Sequence, residues 1–152
     1  MNQLFDVSTT SRNMVSKFLS GYTLDQLNTI PEGFNNNIIW NIGHIIVSQQ
    51  LLVYKLSGLP MMISEELVEK YKKGTKSEQI VTQAEVDEIK SLLSETISQT
   101  KADYDNKIFK NYMEYTTSTG AHVLRNAEDA MAFSNFHEGL HIGNMMSISK
   151  FI

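Results

Sequence analysis

Three histidines have the residue type and the spacing to bind a metal ion. His137 and His141 are four residues apart in a segment with helical periodicity, so at about 3.6 residues per turn they lie on one face. His44 lies in a second, strongly apolar segment, on the same predicted helix face as Trp40. Buried imidazoles need polar partners, and a shared metal ion is one such partner. We therefore take His44, His137 and His141 as the candidate metal ligands.

The stretch His137-Glu-Gly-Leu-His141 also has the H-E-x-x-H form of the zinc proteases, in which the glutamate acts as general base. The extended motif requires Gly at 144 and His at 147, whereas this chain has Asn144 and Ser147. Any third ligand must therefore come from upstream. Glu138 projects about 100° away from the histidine row. We predict that it is a surface residue or a support for the site rather than a base.

Other residues near the histidine pair are weaker candidates. Ser134 and Asn144 lie on the ligand face, one turn before His137 and one turn after His141. Each can hold a water or the second nitrogen of a ligand, and simple packing is an equally good interpretation. His122 falls in an irregular segment, where an isolated histidine is usually exposed and a fourth ligand is the alternative. The apolar neighbours predict a largely buried helix: Phe133, Phe136, Leu140, Ile142 and Met145.

Composition limits the possible classes of protein. The chain has 152 residues, which suits a single domain spanning 1–152. Its net charge is −4 and its lysines are scattered, which disfavours nucleic-acid binding. It has no cysteine, so thiol chemistry would need a thiol brought by another molecule. The N-terminus lacks the features of a signal peptide, and no apolar run is long enough to span a membrane, so we expect a cytoplasmic protein.

Apolar periodicity and capping residues predict four long helices. They cover residues 7–20, 38–56, 82–104 and 126–150, with N-caps expected near the start of each. Two connectors carry short helical segments, at 23–30 and 64–71, and residues 106–125 are the least regular part. The acidic residues of the third helix, Glu85 among them, are expected on the surface. The predicted fold is an all-α four-helix bundle whose long connectors carry short helices.

A set of three imidazoles leaves coordination positions open, which is typical of catalytic rather than structural metal sites. Imidazole suits zinc, nickel, iron and copper, so the ligands alone do not identify the metal. A di-iron bundle would need a Glu-x-x-His pair on each of two helices. Glu138 and His141 supply one pair, but Asn41 stands where the second pair, with His44, requires glutamate. The di-iron interpretation is therefore disfavoured.

The sequence resembles the DinB-like (DinB/YfiT) superfamily. The resemblance is carried by Trp40-Asn-Ile-Gly-His44, by Phe136-His-Glu-Gly-Leu-His-Ile-Gly143, and by the connectors at 31–37 and 57–60. It extends over almost the whole chain. It implies a four-helix bundle in which His44, His137 and His141 bind a divalent metal such as zinc, nickel or iron. It also implies a homodimer, for which an apolar face of the first helix is the expected contact.

The resemblance also implies an activity. Characterised members are similar to metal-dependent thiol transferases that use bacillithiol or mycothiol, or to maleylpyruvate isomerase. In such a reaction the metal binds a low-molecular-weight thiol as thiolate, which attacks an electrophilic small-molecule substrate. Two alternatives stay open: a metal-binding or catalytically idle bundle with a structural or interaction role, and a hydrolase that uses metal-bound hydroxide. No catalytic residue is assigned beyond the three ligands.

Overall fold

A computed structural model describes residues 2–152, and helices dominate that part of the chain. The helices are α1 (Asn2–Gly21), α2 (Leu24–Asn28), α3 (Ile38–Gln50), α4 (Glu65–Tyr71), α5 (Gln83–Asp105) and α6 (Ala127–Ile148). A π-helical turn, Leu51–Lys55, continues α3. Two short strands, β1 (Tyr115–Thr116) and β2 (Val123–Leu124), pair as an antiparallel hairpin before α6. The predicted all-α bundle with short helices in its connectors is confirmed.

The four long helices form a ring. α1 packs between α5 and α6, and α3 packs between the same two helices on the other side. α3 is antiparallel to α6, because Asn41 contacts Asn144 at one end of the pair and His44 contacts His137 further along. This pairing brings the middle of α3 against the middle of α6. The two predicted histidine segments therefore face each other.

The apolar sequence of α3 makes it the central helix of the bundle. Every residue of α3 except Ser48 is buried. Asn37 caps its N-terminus by accepting a hydrogen bond from the Trp40 amide at 2.9 Å. Each fully buried isoleucine in this helix contributes about 1.5–3 kcal/mol of apolar burial. His44 therefore lies on a helix that is buried along almost its whole length.

Several predicted boundaries need correction. α1 begins at Asn2 rather than at residue 7, and the predicted helix 38–56 becomes α helix only to Gln50 before the π turn. The irregular segment 106–125 contains the hairpin, which was not predicted. Glu85 is only half-exposed, because its carboxylate accepts hydrogen bonds from Lys70 and from the Tyr71 hydroxyl.

The predicted burial of α6 is also only partly right. Phe136 is 55% exposed and Leu140 is 48% exposed, although Phe133, Ile142 and Met145 are buried as expected. The two exposed residues lie one turn apart on the outer side of α6. Within residues 2–152, no helix combines the length and the apolar character that crossing a bilayer requires.

Candidate metal centre

His44 is held on α3 by the backbone of α4. Its Nδ1 lies 2.7 Å from the Tyr71 carbonyl oxygen, which can only accept, so Nδ1 carries the proton. The approach of α4 depends on Gly43, since a Cβ at this position would lie 2.5 Å from the Tyr71 ring. Trp40 stacks on the imidazole with ring centroids 4.7 Å apart. The ring is therefore fixed with an unprotonated Nε2, which accepts a hydrogen bond from the Ser48 hydroxyl at 3.2 Å and has the form that binds a metal.

An asparagine of α3 keeps His141 in the same tautomer as His44, with the proton on Nδ1. Its Nδ1 donates to the Asn41 side-chain oxygen at 2.7 Å. The Asn41 amide cannot turn easily, because its nitrogen donates to the Asn37 carbonyl at 2.7 Å and its oxygen also accepts from Asn144 at 3.0 Å. The proton therefore stays on Nδ1, and His141 presents an unprotonated Nε2.

The three imidazoles converge on one point. One ring nitrogen from each of His44, His137 and His141 lies within 4.8 Å of the other two. The Nε2 atoms of His137 and His141 are 3.1 Å apart. Nitrogens that bind zinc tetrahedrally at about 2.0–2.1 Å lie roughly 3.3 Å from one another, so this spacing fits a shared divalent ion. The cluster is compatible with metal binding in its donor atoms and spacing, and two of its three rings are held in the metal-binding tautomer.

Burial keeps these imidazoles neutral. It lowers the pKa of His137 to about 4, and the neighbouring His44 lowers it further. It lowers the pKa of His141 to about 3, again with help from the other two rings. Burial also lowers the pKa of His44, against the opposing effect of its hydrogen bond to the Tyr71 carbonyl. All three imidazoles are therefore uncharged near neutral pH, and the uncharged imidazole is the form that binds metals.

All three histidines border a cavity of about 400 Å³ that opens to solvent. Its wall is built by the π turn, by the segment after α4, by the hairpin and by one face of α6. The residues that line it beside the histidines are Ser48, Leu51, Leu52, Lys55, Leu56, Lys73, Tyr115, Thr117, Ser118, Thr119 and Phe133. A metal held by the three rings would thus have a ligand-accessible side.

The structure removes Glu138 from the candidate metal centre. Glu138 is 1% exposed, and its carboxylate pairs with the Arg12 guanidinium at 2.7 Å and accepts from the Ser11 hydroxyl. Both partners belong to α1. The prediction of a surface or supporting residue is therefore wrong, since Glu138 instead ties α6 to α1. The rejection of a protease-type base agrees with this geometry.

The structure places each of the other candidate residues outside the cluster of three histidines. Ser134 donates to the Ala130 carbonyl within its own helix, so packing accounts for it. Asn144 acts on the site only through Asn41, as described above. His122 is exposed and stacks on Phe133 with ring centroids 6.1 Å apart, outside the cluster of three.

Sequence reasoning missed the two residues that contact ligand nitrogens directly from α3. Asn41 was considered only as the position where a di-iron site requires glutamate. A side-chain amide oxygen is nevertheless a common partner for the N–H of a ligand imidazole, here that of His141. Ser48, whose hydroxyl lies 3.2 Å from His44 Nε2, sits one turn after His44. The available signal was that Asn41 lies three residues before His44 and Ser48 four residues after it, which places both on the His44 face of an otherwise apolar helix.

Comparison with known proteins agrees with this picture. No curated protein matches the sequence. A family model described as the DinB superfamily matches residues 9–145, a range that includes all three histidines and all four long helices in whole or in large part. The chain therefore belongs to the DinB superfamily.

Proposed function

We propose that the protein is a divalent-metal-dependent enzyme that activates a low-molecular-weight thiol for attack on an electrophilic small molecule. The observation that carries the proposal is the convergence of three neutral imidazoles on one point at the wall of an open cavity. A site meant only to stabilise the bundle would need no such opening, because structural metal sites have closed ligand shells.

Each chain residue near the site has a defined role in this proposal. His44, His137 and His141 would hold the ion, and Asn41 and the Tyr71 carbonyl keep two of the rings in the metal-binding tautomer. A divalent metal lowers the pKa of a bound thiol, so that it is held as the reactive thiolate.

The composition of the chain supports an external nucleophile. The protein has no cysteine, so the sulfur must arrive on another molecule. Low-molecular-weight thiols are kept reduced in the cytoplasm, which is where the proposal puts the protein. Zinc, nickel and iron all suit an imidazole set, and mass spectrometry of the purified protein identifies which of them it holds.

The proposal is tested with cobalt-substituted protein and a neutral thiol, 2-mercaptoethanol. We expect a new sulfur-to-cobalt absorption band, and faster loss of the electrophile 1-chloro-2,4-dinitrobenzene when thiol and loaded protein are both present. His137→Ala should abolish both effects. His122→Ala is the matched control, since it removes a histidine outside the cluster and should retain both. A cobalt spectrum that does not respond to thiol would contradict the proposal.

The same samples separate the two alternatives. A hydrolase that uses metal-bound hydroxide would cleave p-nitrophenyl acetate without added thiol, and His137→Ala would remove that activity. An idle bundle would bind cobalt but respond to neither thiol nor ester. The open cavity beside the histidines favours the transferase and hydrolase classes over the idle one.

We also propose that the protein forms a homodimer through an exposed apolar face shared by α1 and α6. Large apolar side chains on this face are 42–55% exposed: Val7, Met14, Phe136, Leu140 and Met146. Gly139 and Gly143 lie between the α6 members, and the space where a Cβ would stand is open at both. Small residues in this position allow a second helix to approach closely. A second copy of the same face supplies the apolar side chains to fill the gap.

Sedimentation velocity tests the dimer. Leu140→Glu would place a charge in the proposed contact and should yield monomers. Ile80→Glu is the control, because Ile80 is 83% exposed in the connector before α5. A wild-type protein that sediments as a monomer, or a dimer that survives Leu140→Glu, would contradict this proposal.

A further inference from the structure

We infer that the cavity beside the three histidines selects ligands that carry an anionic group, a carboxylate or a phosphate, and that Lys55 and Lys73 bind it. The inference rests on the proposed function in one respect: the anion is part of the molecule that reaches the metal. The first observation is the distribution of charge. The chain carries a net charge of −4, yet among residues 2–152 the cavity is lined by two lysines and by no carboxylate.

The second observation is a difference in ion pairing between these two lysines and lysines close to Lys73 in sequence. Lys70 pairs with Glu85 at 2.6 Å, and Lys72 pairs with Glu69. Lys73 follows directly in sequence but makes no ion pair within residues 2–152, and the same is true of Lys55. Lys55 and Lys73 are thus available to an anion that enters the cavity, whereas Lys70 and Lys72 are each held by a carboxylate.

The third observation is the backbone that delivers Lys55. The helix after Gln50 opens into a π turn, closed by a bond from the Leu56 amide to the Leu51 carbonyl at 3.3 Å. Isolated π turns are uncommon and occur often at functional sites. This one brings Leu51, Leu52, Lys55 and Leu56 onto the cavity wall together. The spacing i, i+1, i+4 and i+5 keeps these four residues on one side of the helix axis, so they line the cavity as a set.

The remaining wall suits an anion as well. Ser118 and Thr119, in the hairpin loop, bring hydroxyl groups to the cavity, whereas the Thr117 hydroxyl already donates to the Thr119 carbonyl at 2.8 Å. Hydroxyls donate hydrogen bonds to carboxylate and phosphate oxygens, and apolar surroundings strengthen the attraction of the ammonium groups. A ligand could therefore bind the metal at one end and the lysines at the other.

Two thiols of different charge test the inference on cobalt-loaded protein. Mercaptosuccinate carries two carboxylates, and 1-thioglycerol is neutral. We expect mercaptosuccinate to bind roughly tenfold more tightly, as two charge-assisted contacts to exposed lysines would give. The double variant Lys55→Gln/Lys73→Gln should lose that preference while binding 1-thioglycerol as before. The charge-matched control Lys90→Gln/Lys101→Gln, on the outer face of α5, should keep it.

A second measurement separates this inference from the proposed function. Calorimetry with succinate on metal-free protein reports on the lysines without any thiol or metal. Lysine-dependent succinate binding, with no cobalt response to either thiol, would support the anion site and overturn the thiol proposal. Equal binding of the two thiols, or a preference that survives in Lys55→Gln/Lys73→Gln, would overturn the anion site and leave the thiol proposal intact.

Discussion

Acidification should destabilise the metal-free protein through the two histidines of α6. Burial lowers the pKa of His137 to about 4 and that of His141 to about 3, from an ordinary value of 6.5. As the pH falls below 6.5, the unfolded chain takes up protons at these side chains, whereas the folded chain does not until the pH approaches 4. The unfolded state then binds more protons, so the free energy of unfolding falls as the pH falls.

The size of the effect follows from these pKa values. At about pH 5, each histidine favours the unfolded state by about 2 kcal/mol relative to neutral pH, because one pKa unit corresponds to about 1.4 kcal/mol. The two contributions are not independent, since a charge on His137 also lowers the pKa of His141. We therefore expect a loss of about 3–4 kcal/mol, a large part of the stability of about 5–15 kcal/mol that is usual for a folded protein.

Urea unfolding of metal-free protein, followed by circular dichroism at about pH 7.5 and about pH 5, measures this loss. The double variant His137→Gln/His141→Gln removes both titrating rings and should lose about 3 kcal/mol less than the wild type between the two conditions. His122→Gln, at the exposed loop histidine, should behave as the wild type does. The same pH dependence in the wild type and in the double variant would refute the reasoning.

Three further predictions concern residues around the histidines. Glu138→Gln leaves the Arg12 guanidinium buried without its charge partner, so the free energy of unfolding in urea should fall by about 3 kcal/mol while the folded protein still binds metal. Asn41→Ala removes the acceptor that fixes the tautomer of a ligand, so chelator competition should show about 10- to 100-fold weaker metal binding. Gly43→Ala forces a Cβ against the Tyr71 ring, so thermal unfolding should report a loss of about 1–3 kcal/mol.

Each of these three variants has its own control. Loss of metal from folded Glu138→Gln would contradict its assignment to the contact with α1. Asn144→Ala removes only a partner of Asn41 and should weaken metal binding less than Asn41→Ala does; equal losses would count against the tautomer argument. Gly21→Ala meets no atom within 4 Å and should be tolerated, so an equal cost at Gly43 and Gly21 would contradict the packing argument.

The fold was predictable because its signals are local. Apolar periodicity marks the long helices, and capping residues mark helix starts: Thr23, Ser64, Thr82 and Asn126 each accept a hydrogen bond from the backbone N–H three residues later. The facing of the histidine segments was also within reach, because three imidazoles on two apolar helices have few other ways to be satisfied. The periodicity and the caps depend on residues within one or two helical turns of each other.

The features that were missed depend on which surfaces meet. The partner of Glu138 is Arg12, more than a hundred residues away, so the faces of α1 and α6 had to be known before the pair was visible. The exposure of Phe136 and Leu140 likewise depends on what packs outside α6. The π turn has no local sequence signal, because Leu51–Lys55 is compatible with an ordinary helix.

The measurement that tests the central claim most directly is metal content by mass spectrometry on untagged protein. We predict close to one divalent metal per chain, lost in both His44→Ala and His137→Ala and retained in His122→Ala. A protein that binds no metal even after incubation with zinc and nickel, or variants that bind as much as the wild type, would contradict it.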